Sequence, residues 1–222
     1  MPTCANGWPV LESSRTDGPL PRLRKWVIPG TGRHVYLRDG SAGFALVHVA
    51  CWFNADIEAI GEGIFDEWGY AYRPIRGGTR FSNHAGGVAI DLNATRHPLG
   101  VSISRTFTPA QIGLIRSSLA IYERLIDWGG EWNRPDGMHF ELAPGTNLEH
   151  AERIAAKLMA TEYGKAILAA NPGAEAVIRD GNQYLTPTPP PKPTTPLLPL
   201  PYRERLAVLT LNVRKDMNAA DI

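Results

Sequence analysis

Cysteine is nearly absent from this chain of 222 residues: Cys4 and Cys51 are its only two, and neither belongs to a CxxC pair. That excludes a cysteine-built zinc site and a dithiol redox motif, and two free thiols are expected, Cys51 buried on a helix. An excess of charge of either sign is missing too, since 23 basic residues face 22 acidic ones for a net charge of +1. No nucleic-acid surface is expected from so even a balance. With 43% hydrophobic and 20% charged residues, wholesale disorder is excluded as well. No stretch approaches the ~20 apolar residues of a membrane span, so stable membrane insertion is not expected. The opening MPTCANGWPVLESSRTDGPLPRLRKW also lacks the apolar stretch of ~7 to 15 residues that an export signal needs. The chain is therefore expected to be made in the cytoplasm without a signal peptide.

What is present divides the chain in three. Residues 1–185 have the length and composition of one compact domain. Eight prolines then fall between Pro187 and Pro201, which predicts an extended linker over 186–202. The remainder, 203–222, is too short for a domain; Leu206, Leu209 and Val213 suit one face of a docking helix or a truncated module. There is no internal repeat.

Within the domain, Leu46, Val49, Ala50, Phe53, Ile57 and Ile60 recur at helical spacing and predict a helix from Ser41 to about Ile60. His48 lies in it without a second ligand-type residue at matching spacing, and reads as a packed or half-exposed histidine. Thr108, Pro109 and Gln111 announce a second helix, with Ile112, Ile115, Leu119, Tyr122 and Ile126 on its apolar face and Gly129 and Gly130 ending it. A third is expected to start with Thr146 as cap and Glu149 three residues on, burying Leu148, Ala151, Ile154, Ala155 and Leu158. Two segments alternate instead. Val88, Ile90 and Leu92 interleave with Ala89, Asp91 and Asn93, and Met138, Phe140 and Leu142 with His139, Glu141 and Ala143. Both predict strands with one apolar face and one face of coordinating or titrating residues. The expected fold is α+β, a small antiparallel sheet with helices packed on one face and a site on the other.

The chemistry is concentrated in those strands. SNHAGGVAIDLN puts His84 on a glycine-broken turn and Asp91 seven residues later on the polar face of a strand. DGMHFEL adds His139 on the second strand, with Asp136 in the preceding turn. If the strands are neighbours, Asp91 and His139 face the same side. Two imidazoles and a carboxylate suit catalytic zinc, which takes three protein ligands, keeps a fourth position for water and lowers that water's pKa toward ~7. A carboxylate beside the metal must then move protons, and Asp136 is the candidate. Glu141, on the same strand face as His139, is the rival; a supporting role, orienting a ligand or binding substrate, suits its fixed position better. Ser82 either binds substrate or caps the turn. Trp128 and Trp132 either wall a substrate groove or fill the core.

These segments resemble the M15 peptidases, which include D-alanyl-D-alanine carboxypeptidases and dipeptidases and the L-alanyl-D-glutamate endopeptidases of bacteriophage endolysins. SNHAGGVAIDLN matches the family pattern S-x-H-x-x-G-x-A-x-D, and WGGEWNRPDGMHFEL matches its W-G-G and D-x-x-H-F ending, in the expected order over a motif core of about 68–143. The resemblance implies the M15 / Hedgehog-like peptidase fold, His84, Asp91 and His139 as Zn2+ ligands and Asp136 as the catalytic acid/base. It also implies a substrate-binding arginine upstream of the first histidine. Arg73 is the natural counterpart, with Arg76 and Arg80 as alternatives.

The resemblance makes peptidoglycan stem peptide the expected partner and the bond between L-Ala and D-Glu the expected target, as in a phage endolysin that acts on the wall after release. The alternatives are a D-Ala-D-Ala carboxypeptidase or dipeptidase, and a non-catalytic wall-binding or virion module that kept the fold.

Overall fold

The structure, a computed structural model, describes residues 2–11 and 22–181. The expected linker 186–202 and the C-terminal segment 203–222 lie outside the described residues.

After an N-terminal strap, residues 2–11, the chain forms a hairpin of β1 (Leu23–Ile28) and β2 (Arg33–Arg38), paired antiparallel from Leu23↔Arg38 to Ile28↔Arg33. Helix α1 (Ser41–Asp56) follows. A 3-10 turn at Asn83–Gly86 leads into β3 (Ala89–Asp91). Next come α2 (Ile103–Thr106), α3 (Pro109–Leu119), β4 (Ile126–Trp128) and β5 (His139–Leu142), and then α4 (Leu148–Leu158), α5 (Glu162–Ala170) and α6 (Ala174–Gly181). Strands β3, β5 and β4 form an antiparallel sheet in that order. The fold is α+β with small antiparallel sheets, as the alternating segments predict.

One face of the three-stranded sheet is the floor of the core. Ile90, Phe140 and Trp128 lie side by side across it, all but removed from solvent. Phe140 stacks with Trp128 at 6.1 Å and meets the ring edges of Trp52 and Phe53 of α1 at 6.1 and 6.0 Å. Rings at these offsets and tilts add to the burial of their area. Helix α1 in turn packs on α4, α5 and β1. The opposite face of the sheet carries Asp91, His139 and Glu141.

Four sequence expectations need correction. Helix α1 is buried on every side from Ser41 to Phe53, not on one face, because α4, α5, α6, β5 and the β1–β2 hairpin all pack against it. The second helix stops at Leu119, followed by a short 3-10 turn. Glu123 and Arg124 adopt positive φ of 50° and 66°, which breaks helical continuation and sends Ile126 into β4 instead. Asn147, not Thr146, caps α4, its side chain accepting from the His150 N–H at 2.9 Å. Leu148 consequently begins the helix on its outer side and is 55% exposed. The Thr108–Gln111 capping box forms as expected.

The hairpin adds to the elements expected from sequence. Its signal is two runs of strand formers, LRKWVI and RHVYLR, on either side of the turn-forming Pro29, Gly30, Thr31 and Gly32.

His48 is fully buried and packed. Its ring nitrogens meet the Tyr122 hydroxyl at 2.7 Å and the Thr161 hydroxyl at 3.0 Å, tying α1 to two later elements. Burial pushes its pKa down to about 3, because no counter-charge compensates the lost hydration of an imidazolium. The unfolded chain binds a proton at this residue below about pH 6.5, while the folded chain refuses it until about pH 3. Stability from this residue is therefore complete above pH ~6.5 and declines as pH falls toward 3, by up to ~1.4 kcal/mol per pH unit. Urea unfolding of wild type and His48→Gln between pH 4 and 7 should show that component of the slope in wild type only.

Candidate metal centre

Strand register builds the centre. Asp91 stands directly opposite His139 across β3 and β5. The Asp91 N–H and C=O are both taken by Trp68 on the outer edge, at 2.8 and 3.1 Å, so they point away from β5. Asp91 and His139 thus form a non-hydrogen-bonded pair, the arrangement that brings facing side chains closest. His84 reaches the same place from the 3-10 turn. Ser82 caps that turn by accepting the His84 N–H at 3.4 Å, and Gly87 closes it at φ 63°. A Cβ on Gly87 would sit 2.6 Å from the Arg38 backbone nitrogen, so the turn packs on β2 only because this residue has none.

The donors converge. One ligand atom from each of His84, Asp91 and His139 lies within 4.8 Å of the others, and all three residues are buried. His84 Nδ1 lies 2.6 Å from the Gly69 carbonyl, which can only accept, so that nitrogen carries the proton and Nε2 presents its lone pair. His139 Nε2 donates to Glu141 Oε2 at 2.8 Å, which leaves Nδ1 facing Asp91 Oδ1 at 2.8 Å and His84 Nε2 at 3.3 Å. Asp91 Oδ2 lies 3.3 Å from His84 Nε2.

Two lone pairs and a carboxylate aimed at one point repel one another unless a cation stands between them. Ligands ~2.0–2.1 Å from a tetrahedral zinc would be ~3.3 Å apart, so the donor set fits a small divalent metal. Ionisation points the same way. Although burial opposes it, hydrogen bonds and charge from Asp91 and Glu141 push His139 up to about 10. Despite burial, His84 and His139 hold Asp91 well below the usual carboxylate range. In metal-free protein a proton on His139 satisfies the cluster, and a metal competes for that same place.

Asp136 sits beside this cluster in the turn before β5. Its N–H donates to the Gly129 carbonyl at 2.8 Å and its carbonyl accepts the His139 N–H at 3.1 Å. The Oδ1 atom is buried without a hydrogen-bond partner. Burial raises the Asp136 pKa, with the neighbouring Asp91 charge adding to the rise and His139 opposing it. Gly129 is what allows the turn so close, since a Cβ there would meet the Asp136 carbonyl oxygen at 2.7 Å and its Cβ at 2.9 Å.

A cleft of about 470 Å³ opens onto His84 and Asp91, with Tyr36, Phe65, Trp68, Tyr70 and Arg73 among its walls. Of the three candidate arginines only Arg73 lines it; the Arg80 guanidinium is turned to the Ala5 carbonyl at 2.7 Å. The Trp132 ring lies 5.3 Å from that of His139, its Nε1 donating to Asp127 at 3.1 Å, whereas Trp128 is core. Glu141 is buried, and one of its oxygens accepts from both His139 and Asn83.

The family model described as D-alanyl-D-alanine carboxypeptidase, in the M15 peptidases, matches residues 76–142. Residues 76–142 are thus similar to the M15 peptidases. No curated protein and no solved structure matches the chain. The matched segment holds His84, Asp91, Asp136, His139 and Glu141, while Arg73 and the Gly69 carbonyl come from the residues just before it. Asn83 and Gly69 carry no signal in the sequence pattern. Asn83 occupies the variable position of S-x-H, and Gly69 acts through its backbone.

Titrating Zn2+ into chelator-stripped protein should raise the unfolding temperature, by the equivalent of ~2.7 kcal/mol at a hundredfold excess over Kd. His139→Ala should abolish that rise in a thermal-shift assay.

Proposed function

We propose that the chain is a zinc peptidase that hydrolyses the stem peptide of peptidoglycan between L-Ala and D-Glu, as a lysin of the phage type. The observation that carries this reading is the buried, unpartnered Oδ1 of Asp136 beside a three-donor metal centre that a cleft opens onto. A structural zinc site ordinarily closes its fourth position with protein, and among the described residues this cluster offers three ligands. The donor set of two imidazoles and one carboxylate favours zinc over harder ions, which prefer oxygen alone.

Zinc held there supplies Lewis acidity at the scissile carbonyl and makes water acidic near neutral pH. His84, Asp91 and His139 would hold it, with the Gly69 carbonyl and Glu141 fixing the two rings. Asp136 takes the proton from the attacking water and delivers it to the departing amine. Its raised pKa brings it toward the range in which one carboxyl does both. Arg73 faces charge developing on the carbonyl oxygen, or the carboxylates of the stem peptide. Phe65 and Trp68, 48% and 49% exposed, form low walls along which an extended peptide runs past the metal, and this supports cleavage within a chain.

The second reading is a D-Ala-D-Ala carboxypeptidase, favoured by the description of the matched family and by an arginine available to pair with a terminal carboxylate.

New amino termini released from purified peptidoglycan by zinc-loaded protein separate the two. N-terminal D-Glu is the expected product; free D-Ala instead establishes the carboxypeptidase, and no product on several wall types leaves a binding module. Asp136→Ala should lower kcat by at least ~10²-fold while zinc binding persists. Gly129→Ala should displace the Asp136 turn and cost a comparable ~10² in kcat.

A further inference from the structure

The metal centre is braced from outside the matched core. The strap lies along the His84 turn: the Ala5 N–H donates to the Phe81 carbonyl at 3.0 Å, and the Leu11 N–H to the Ala85 carbonyl at 2.9 Å. Between these, the Asn6 N–H donates to Asn83 Oδ1 at 2.9 Å. That bond fixes which way the Asn83 amide points, and its Nδ2 then donates to Glu141 Oε2 at 2.5 Å. The same oxygen receives the His139 Nε2 proton at 2.8 Å. The Asn6 side chain completes the brace. Its Nδ2 donates to the Leu142 carbonyl at the end of β5 at 2.8 Å, and its Oδ1 accepts the Trp8 N–H at 3.2 Å. Asn6, Asn83, Glu141 and His139 are all buried, so each of these bonds forms where water does not compete.

We infer that Asn83 is a positioning residue for the metal centre, holding Glu141 so that His139 keeps Nδ1 on the metal, with the strap as the anchor of that chain of bonds. The inference rests on His139 being a metal ligand. The physical reason is a matter of two jobs on one turn. Asn83 directly precedes His84, so a single residue couples the backbone that carries one ligand to the orientation of another. A carboxylate that accepts from two donors is held more rigidly than one that accepts from one, and both bonds to it are charge-assisted. Without the Asn83 donor, Glu141 is free to rotate, and the His139 ring loses its fixed partner. Outer hydrogen bonds of this kind typically alter metal affinity 10- to 100-fold when removed.

The test is the zinc dissociation constant of the full chain, measured by competition with a chromophoric chelator, beside the unfolding temperature of the chelator-stripped protein. Asn83→Ala is expected to weaken zinc binding ~10- to 100-fold. Asn83→Asp, nearly the same shape, keeps the acceptor for the Asn6 N–H but sets a second carboxylate against Glu141, and should weaken binding at least as much. Asn147→Ala, which removes the α4 cap and touches none of the bonds between Asn6, Asn83, Glu141 and His139, should lower the unfolding temperature and leave the zinc constant within about twofold. If both Asn83 variants fold and bind zinc as wild type does, Asn83 is only a fold contact and the inference is overturned while the metal reading stands. If wild type itself binds no zinc, the metal reading falls and the inference with it.

Discussion

The register between β3 and β5 governs the rest of this molecule. Opposite faces of a strand alternate, so pairing Asp91 with His139 simultaneously pairs Ile90 with Phe140. One face becomes the candidate metal centre and the other becomes core. A slip of a single residue would exchange the two, burying a carboxylate against Trp52 and exposing Phe140. Because the core face is closed by α1, whose aromatic rings meet Phe140 edge-on, that slip is prohibitively costly. Packing on one side of the sheet thus enforces ligand geometry on the other.

Burying so many ionisable groups sets a second constraint. His84, Asp91, Asp136, His139 and Glu141 are all largely hidden from solvent, and each would be expensive alone. Four of them are satisfied by one another, by Gly69 and by Asn83. Asp136 has an oxygen that is not. A network that satisfies every member but one marks that member as the group kept for something other than stability.

Much of this was legible in the sequence wherever the signal is local. Alternation exposed β3 and β5, the Thr108 capping box exposed α3, and two motifs in order brought the three candidate ligands and Asp136 together. Nonlocal features were hidden. Tyr122 and Ile126 continue a helical period, and nothing in that period announces that Glu123 and Arg124 will take left-handed backbone. The all-round burial of α1 depends on the helices, strand and hairpin packed against it, which an amphipathic reading of the helix alone does not contain. The brace from Asn6 to Glu141 joins asparagines 77 residues apart through a single bond from a backbone N–H to a side-chain oxygen. Such a contact has no period, no spacing and no characteristic residue type.

The strap gives the chain a boundary different from that of its motifs. Cys4 and Val10 close over Ala85, with Phe81 packed against them, so the underside of the His84 turn is a small apolar cluster half supplied by the first residues of the chain. A fragment trimmed to 76–142 would present that cluster to water and leave Asn83 without its orienting bond. In any recombination of this domain, whether by nature or in the laboratory, the exchangeable cassette must therefore carry residues 2–11 with it. A splice made at the motif edge would transplant the ligands but not the geometry that makes them a site.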